Sequence, residues 1–444
     1  MAKSNGSAEV KESPAEKKKA RKAALLSLIP GGGQFYNGQL VKGFLFLVIF
    51  LLFCVELIVF GGEALGNFVT LGTVPREDHS LFLLIEGVLQ IIITGFFLVF
   101  YVINLYDAHR VGVLSVRTPE KVNRSSKQIL HNTFEKGFPY LLTVPALVVM
   151  VIAILFPVLV TLFLAFTNYD FHHIPPAKLI DWVGVKTFLS IFTLSSYRNT
   201  FVSVFSWTII WTVLATTLQL VIGIFTAVVL NQPFVKLKRL FGVILLLPWA
   251  VPAFITILTF SNMFNPSAGA INTQVIPFLN KIIPFISIPA VSWKTNPFWT
   301  KVAIILIQGW LGYPYIYVLA SGILQSIPKD WYEAAVIDGA STIQKFRYIT
   351  FPQMLAVAGP IFVTQYTGNF NNFNVIYLFN EGGPGSVGNG AGSTDILISW
   401  IYKLTTGQSP QYNIASAVTL IISAVTIFVS LLVFKRSAVF NMED

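Results

Sequence analysis

Eight stretches of this chain are so evenly apolar that they dictate the solvent in which it folds. They run from Gly43 to Phe60, Leu81 to Tyr106, Phe138 to Phe166, Phe201 to Leu230, Leu240 to Met263, Thr300 to Leu324, Leu355 to Phe379 and Tyr412 to Phe434. A helix needs roughly 20 such residues to cross a hydrocarbon layer of about 30 Å, and each run reaches or approaches that length. With 54% of its residues hydrophobic and only 11% charged, the chain has too little polar surface for an ordinary soluble domain. The runs do not alternate polar with apolar residues, which argues against a transmembrane barrel. The expectation is an all-α membrane protein with eight transmembrane helices.

A net charge of +10 would suit a nucleic-acid binder, but the placement of the charges suits a bilayer instead. With the N-terminus in the cytoplasm, most of the 30 Lys and Arg fall on that side. Only Arg76, Lys178, Lys186, Arg198, Lys281, Lys294, Lys301 and Lys403 fall on the other. The positive-inside rule therefore places both termini in the cytoplasm and leaves no call for nucleic acid as a partner. The Lys17 to Lys22 cluster has two readings: a solvated tail that helps set topology, or a surface that recognises anionic lipid. The first 42 residues are too long and too charged for a signal peptide, so the first apolar run reads as a retained helix. Cys54 is the single cysteine, so no intrachain disulfide can form.

The polar stretch from Asp107 to Gly137 separates the first two runs from the other six. This divides the chain into a basic tail and interfacial segment (1–42), a two-helix extension with its linker (43–137), and a six-helix core (138–444). Outer loops are modest, and the one from Asn380 to Gln411 opens with Glu381, Gly382, Gly383, Pro384 and Gly385, which should turn sharply and return along the membrane surface. The triple glycine in IPGGGQFYNGQLVKG is not a phosphate cradle, because a P-loop requires Gly-Lys and that dipeptide occurs nowhere in the chain. It reads as a re-entrant or interfacial helix entry.

One amphipathic segment interrupts the core, SIPKDWYEAAVIDGASTIQKFRYITFP, from Ser326 to Pro352. Pro328 suits a first helical turn, and Gly339 can take the left-handed conformation that ends a helix after Asp338. Ser341 with Gln344 reads as a capping box starting a second short helix, closed by Pro352. Ala334 and Ala335 beside Glu333 would let a partner's backbone approach closely. The segment is a docking surface on the cytoplasmic side.

Polar groups inside the spans are costly and must face protein or a water-filled cavity. The sixth run holds Trp310, Leu311, Gly312, Tyr313, Pro314, Tyr315 and Tyr317, where Pro314 should kink the helix and free the Trp310 carbonyl. Trp310, Tyr313 and Tyr317 lie near one face. In the seventh run Gln365, Asn369 and Asn372 recur at i, i+4 and i+7, an amide stripe flanked by Asn371 and Asn374. Amides match the paired hydroxyls of a neutral sugar, and aromatic faces cover its C–H faces, so a carbohydrate path is one reading. Structural glue between helices is the other. Glu56 and Glu86 are candidate proton-coupling carboxylates, and they keep a proton-coupled secondary sugar transporter open as an alternative. His172 and His173 are adjacent and lack further ligands, which leaves no metal site and no catalytic cluster to propose.

Glu333-Ala334-Ala335, then Gly339, Ile349 and Pro352, reproduce the EAA-loop spacing of membrane subunits of binding-protein-dependent ABC importers. Through GWLGYPYIYVLASGILQSIP, YEAAVIDGA, NFNNFNVIYLFNEGGPG and STDILISWIY the chain resembles MalF-type maltose and maltodextrin permeases, from about Phe234 onward. Phe351 stands where that loop usually has leucine. The outer segment Thr167 to Thr200 is too short for the large external domain of the enterobacterial members, which favours a Gram-positive type of importer. The resemblance implies a non-catalytic permease in a bacterial cell membrane, with an ABC importer permease core. It implies a MalG-type second permease, two MalK-type ATPase subunits that use ATP and Mg, an extracellular sugar-binding protein, and maltose or maltodextrin as cargo. Another oligosaccharide is the nearby alternative. It also implies ATPase coupling through Glu333, Ala334, Ala335, Asp338, Gly339, Ile349 and Pro352. Sugar contacts are implied at Trp310, Leu311, Gly312, Tyr315, Asn369 and Asn372, with Gln365 on the same face.

Overall fold

The structure, a computed structural model, describes residues 13–118, 137–138, 142–283, 285 and 287–436. The linker at 119–136 and the C-terminal residues from 437 on lie outside it. Its contacts divide the chain into two units, one of residues 1–163 with 172–182, the other of residues 164–171 with 183–444. The helix of the third run thus falls almost wholly with the first two, later in the chain than the boundary read at residue 137.

In the first unit, helix α1 (Pro14–Leu26) opens with a capping box between Ser13 and Glu16. A short turn at Gly32–Tyr36 follows, then α2 (Leu40–Thr70), α3 (Ser80–Arg117) and α4 (Leu142–Leu164). Lipid tails are as apolar as leucine, so burial gives little drive for helix pairing there, and close packing and hydrogen bonds must hold the helices together. The α2–α3 pair meets through rings: Phe53 stacks on Phe97 at 3.8 Å between centroids and Phe46 packs on Phe100 at 5.1 Å. At Glu56 a five-residue π turn interrupts α2, and Gln90 Nε2 of α3 donates to Glu56 Oε2 at 3.1 Å.

The second unit is built around α5 (Ser195–Leu230). α7 (Pro297–Ser326), α9 (Phe351–Phe370) and α11 (Leu397–Thr406) pack directly on it, and the unit also holds α6 (Ala253–Met263), the short α8 (Lys329–Ile337), α10 (Phe373–Asn380) and α12 (Tyr412–Arg436). Three apolar clusters succeed one another along α5: Phe201 and Val204 with Trp400 and Val418, then Trp207 and Trp211 with Ile304, Ile307 and Phe379, then Ala227 with Ile316, Met354 and Phe362. Buried indole N–H groups are satisfied on backbone, Trp207 on Thr394 O and Trp211 on Asn369 O. The glycine-rich loop that opens at Glu381 turns into a two-stranded antiparallel hairpin, Ser386–Gly388 with Ala391–Gly392, before α11.

Six described helices are long and apolar enough to cross a membrane by themselves, and two of the eight apolar runs are interrupted. The run read from Leu240 to Met263 divides into Lys238–Leu245, Leu247–Ala250 and α6. Pro252 lacks the N–H that a continuous helix would need, and Val251 before it is extended. The run read from Leu355 to Phe379 ends its first helix at Phe370, because Asn371 and Asn372 leave helical geometry and Asn372 caps α10. Pro314, in contrast, sits inside a helix that continues from Pro297 to Ser326.

Candidate functional site

A cluster of amides joins α5, α7 and α9 in the middle of the second unit. Its hub is Gln219 of α5, which is 1% exposed. Gln219 Oε1 accepts from Gln308 Nε2 of α7 at 3.1 Å and from Asn369 Nδ2 of α9 at 3.2 Å. Its own Nε2 donates to Gln365 Oε1 at 3.1 Å. Asn369 Nδ2 also reaches Thr216 Oγ1 at 2.9 Å. Asn372 Nδ2 closes the circuit onto Gln308 Oε1 at 3.0 Å and Asn369 Oδ1 at 3.3 Å. Among apolar side chains every one of these polar atoms would be costly alone, and together they satisfy one another.

Gly312 makes the hub possible. A Cβ there would lie 2.1 Å from Gln219 Oε1, so any side chain would drive the amide out of place. The expected stripe of Gln365, Asn369 and Asn372 does gather, with a difference: Asn372 is beyond the end of α9, and its Oδ1 accepts from Val375 N at 3.4 Å as the cap of α10. Gln219 and Gln308 were not singled out from sequence. Each is a lone amide in an otherwise apolar run, and that isolation was the available signal.

Trp310 and Tyr313 lie side by side on α7, ring centroids 5.9 Å apart, as read, but they differ in exposure. Tyr313 is buried, donating from Oη to Leu245 O at 2.7 Å, whereas Trp310 and Tyr315 are 45% and 37% exposed. Trp249 comes within 6.2 Å of Tyr315, ring to ring, and adds a third exposed aromatic. Leu311 is half-buried and packs on the central apolar cluster. Further along α7, a cavity of about 700 Å³ is lined by Tyr317, Ser321, Gln325, Asn231, Lys238 and Arg239.

The segment after α7 has the local chemistry read for it. Gly339 has φ +73°, with Ala340 N donating to Ala335 O at 2.8 Å and Gly339 N to Val336 O at 3.0 Å, a Schellman closure. Ser341 and Gln344 form the capping box, at 2.7 and 3.3 Å. Pro328 is the residue before the helix rather than in its first turn. Pro352 does not close the second helix: Thr342–Lys345 passes through a π turn at Phe346–Thr350 into α9, and the widened turn gives the proline ring room. Tyr332 Oη and Thr350 Oγ1, 2.9 Å apart, tie α8 to that junction. Glu333, Ala334, Asp338, Gly339 and Pro352 are exposed, Ala335 and Ile349 half-buried. Beside them Trp331, Val336, Ile337, Ile343 and Tyr348 present apolar surface, Ile337 at 87% exposure.

Residues 219–437 match the family model described as binding-protein-dependent transport system inner membrane component. The chain is 61% identical over 427 residues, 96% of its length and 98% of the relative's, to the maltodextrin transport system permease protein MdxF of Bacillus subtilis (strain 168). It is 48% identical, over 95% of its length and 98% of the relative's, to the galactooligosaccharides transport system permease protein GanP of the same organism. The fold resembles a bacterial ABC transporter involved in import of the acidic polysaccharide alginate, with a TM-score of 0.57 at 19% identity over 71% of this chain and 100% of that one.

Proposed function

Since this chain belongs to the family of binding-protein-dependent transport system inner membrane components, we propose that it is the maltodextrin-translocating permease of a bacterial ATP-driven importer. The observation that carries this reading is identity of 61% along nearly the whole chain to a maltodextrin permease. Eight passes are formed when the two interrupted helices also cross, with both termini in the cytoplasm of a bacterial cell membrane. A MalG-type permease completes the pore, an extracellular binding protein delivers sugar, and two MalK-type ATPases bind ATP and Mg, neither of which this chain holds.

Trp310 and Tyr315 offer exposed ring faces to glucosyl C–H faces, and Leu311 and Gly312 shape the wall between them and the amides. Gln365 and Asn372, at the half-buried edge of the cluster, exchange amide–amide bonds for amide–hydroxyl bonds as sugar enters, while Asn369 anchors the helices behind them. Because one hydrogen bond replaces another, admission leaves few polar groups unpaired. Glu333, Ala334, Ala335, Asp338, Gly339, Ile349 and Pro352 form the surface that the ATPase grips, supported by the exposed apolar residues around them.

The 48% identity to a galactooligosaccharide permease supports a second cargo. Sugar-stimulated ATPase and uptake by the reconstituted importer, compared across maltose, maltotriose and galactooligosaccharides, separate the two. Maltotriose should be carried and should lose at least tenfold in uptake with Trp310→Ala. Normal uptake of every sugar by that variant would overturn the assignment of the path.

A further inference from the structure

The basic N-terminal segment is held in place too firmly to be a solvated tail. Glu16, Ala20, Ala23 and Ser27 are buried at i, i+4, i+7 and i+11, one face of α1 and its end. That face lies antiparallel on the distal end of α3. Arg117 Nε donates to Glu16 Oε1 at 3.0 Å, a Cβ on Gly112 would meet Ala20 Cα at 2.8 Å, and Asn104 Nδ2 donates to Ser27 O at 2.8 Å. The glycine turn locks the arrangement, with Gly31 N donating to Asn104 Oδ1 at 3.2 Å and Gln34 Nε2 to Asn104 O at 3.1 Å.

The level of this helix relative to the bilayer follows from α3. Its 38 residues extend about 57 Å at 1.5 Å each, far more than the hydrocarbon layer requires. Lys42 and Asp107, paired at 3.1 Å, mark where α2 and α3 leave that layer, since neither charge belongs in it. Arg21 and Lys22 lie between Ala20, beside Gly112, and Ala23, whose carbonyl faces Gly33 next to Ala108. They are therefore within one or two helical turns of the Lys42–Asp107 pair, at the depth of lipid headgroups.

The outward face is cationic. Lys17, Lys18, Arg21 and Lys22 are exposed, and none is in an ion pair among the described residues, although Lys22 Nζ sits 5.2 Å over the Tyr36 ring. Toward the bilayer the same segment exposes Leu25, Leu28 and Ile29, at 66%, 58% and 62%. A cationic band followed by apolar side chains, on a helix directed at the membrane, matches phosphate followed by acyl chain. We propose that α1 is a clamp for anionic phospholipid, in which Lys17, Lys18, Arg21 and Lys22 bind headgroup phosphates and Leu25, Leu28 and Ile29 enter the acyl boundary. This does not depend on the cargo.

The test is retention of phosphatidylglycerol against phosphatidylcholine by the full chain, counted by native mass spectrometry after exchange in mixed micelles. Each basic residue near such a surface contributes about fivefold, so Lys17→Gln, Lys18→Gln, Arg21→Gln and Lys22→Gln together should lower the preference by on the order of 10-fold or more. The charge-keeping set Lys17→Arg, Lys18→Arg, Arg21→Lys and Lys22→Arg should retain it, and salt should weaken it. Hydrogen exchange across 14–26 should slow in phosphatidylglycerol nanodiscs relative to phosphatidylcholine ones. Equal retention of both lipids by the native chain would overturn the proposal, as would unchanged preference in the Gln set, or a Gln set that loses ATPase binding while keeping its lipid.

Discussion

The amide hub permits a quantitative test. Gln219→Leu keeps the volume of the side chain but removes three bonds between helices, those from Gln308 and Asn369 and the one to Gln365. Interhelical hydrogen bonds in bilayers average about 0.6 kcal/mol, so the minimum loss is about 2 kcal/mol. Asn369 keeps Thr216 as a partner at 2.9 Å and contributes no further penalty. Gln308 Nε2 and Gln365 Oε1 lose the partners they have here, and an unpaired buried amide costs about 1–3 kcal/mol, which brings the total toward 4 kcal/mol. Equilibrium unfolding in mixed micelles reads this, and a cycle with Gln308→Leu should return a coupling between positions 219 and 308 above the average of about 0.6 kcal/mol and toward the upper value of about 1.7, because the second substitution also removes the unpaired Gln308 amide. Gly312→Ala should imitate Gln219→Leu, because its Cβ occupies the place of Gln219 Oε1. Stability of Gln219→Leu equal to the native chain, or strict additivity with Gln308→Leu, would refute the reasoning.

Three further outcomes are expected. Gly339→Ala forces a side chain into a left-handed position at φ +73°, costing about 1–2 kcal/mol, and should reduce uptake while membrane insertion measured by surface labelling is preserved. The Arg117 hydrogen bond, then the Ser13 amide, hold the Glu16 carboxyl below its ordinary value. Its stabilisation of α1 is complete above the unfolded carboxyl range and disappears as pH falls through the lowered value; exchange across 14–26 should accelerate there, and Glu16→Gln should abolish that dependence. Asp395, fully buried, accepts from Lys403 Nζ, from Ser399 Oγ at 2.7 Å and from Gly392 N at 2.6 Å. Asp395→Ala should therefore destabilise the hairpin at 386–392 by about 3 kcal/mol, the low end for a broken buried pair because Lys403 remains partly solvated, and expose residues 382–395 to proteolysis.

What was readable in advance depended on the range of the interaction. Gly339 and the Ser341–Gln344 box are set by neighbours within a few residues, and both form where the sequence placed them. The same Ser-x-x-Glu pattern stood at Ser13 and Glu16, and with it the start of α1 could have been read. Apolar length gave six continuous spans because hydrocarbon thickness imposes one requirement on all of them. It gave the wrong continuity at Pro252 and at Asn371–Asn372, where a run of apolar character conceals a backbone that turns. Tyr313 illustrates a further limit: periodicity placed it beside Trp310, where its ring lies, but could not show that its hydroxyl finds Leu245 O and that it is buried.

The amide stripe raised two readings, a sugar path with helix glue as its rival, and the burial of each amide bears on which residue can report on either. Asn369 is 4% exposed, and its amide nitrogen already bonds Thr216 and Gln219 while its amide oxygen accepts from Asn372 and its backbone carbonyl from Trp211. Replacing it removes packing across two helices whatever the cargo, so a transport defect there says little about sugar. Asn372 is half-buried at the break between α9 and α10, and its backbone-capping bond is long at 3.4 Å. A serine at 372 could still cap α10 but could not reach Gln308 or a ligand hydroxyl, so it removes the amide and leaves the helix start. The informative residue in the stripe is therefore the one at its edge, where a polar group is held in place yet still within reach of something other than the protein.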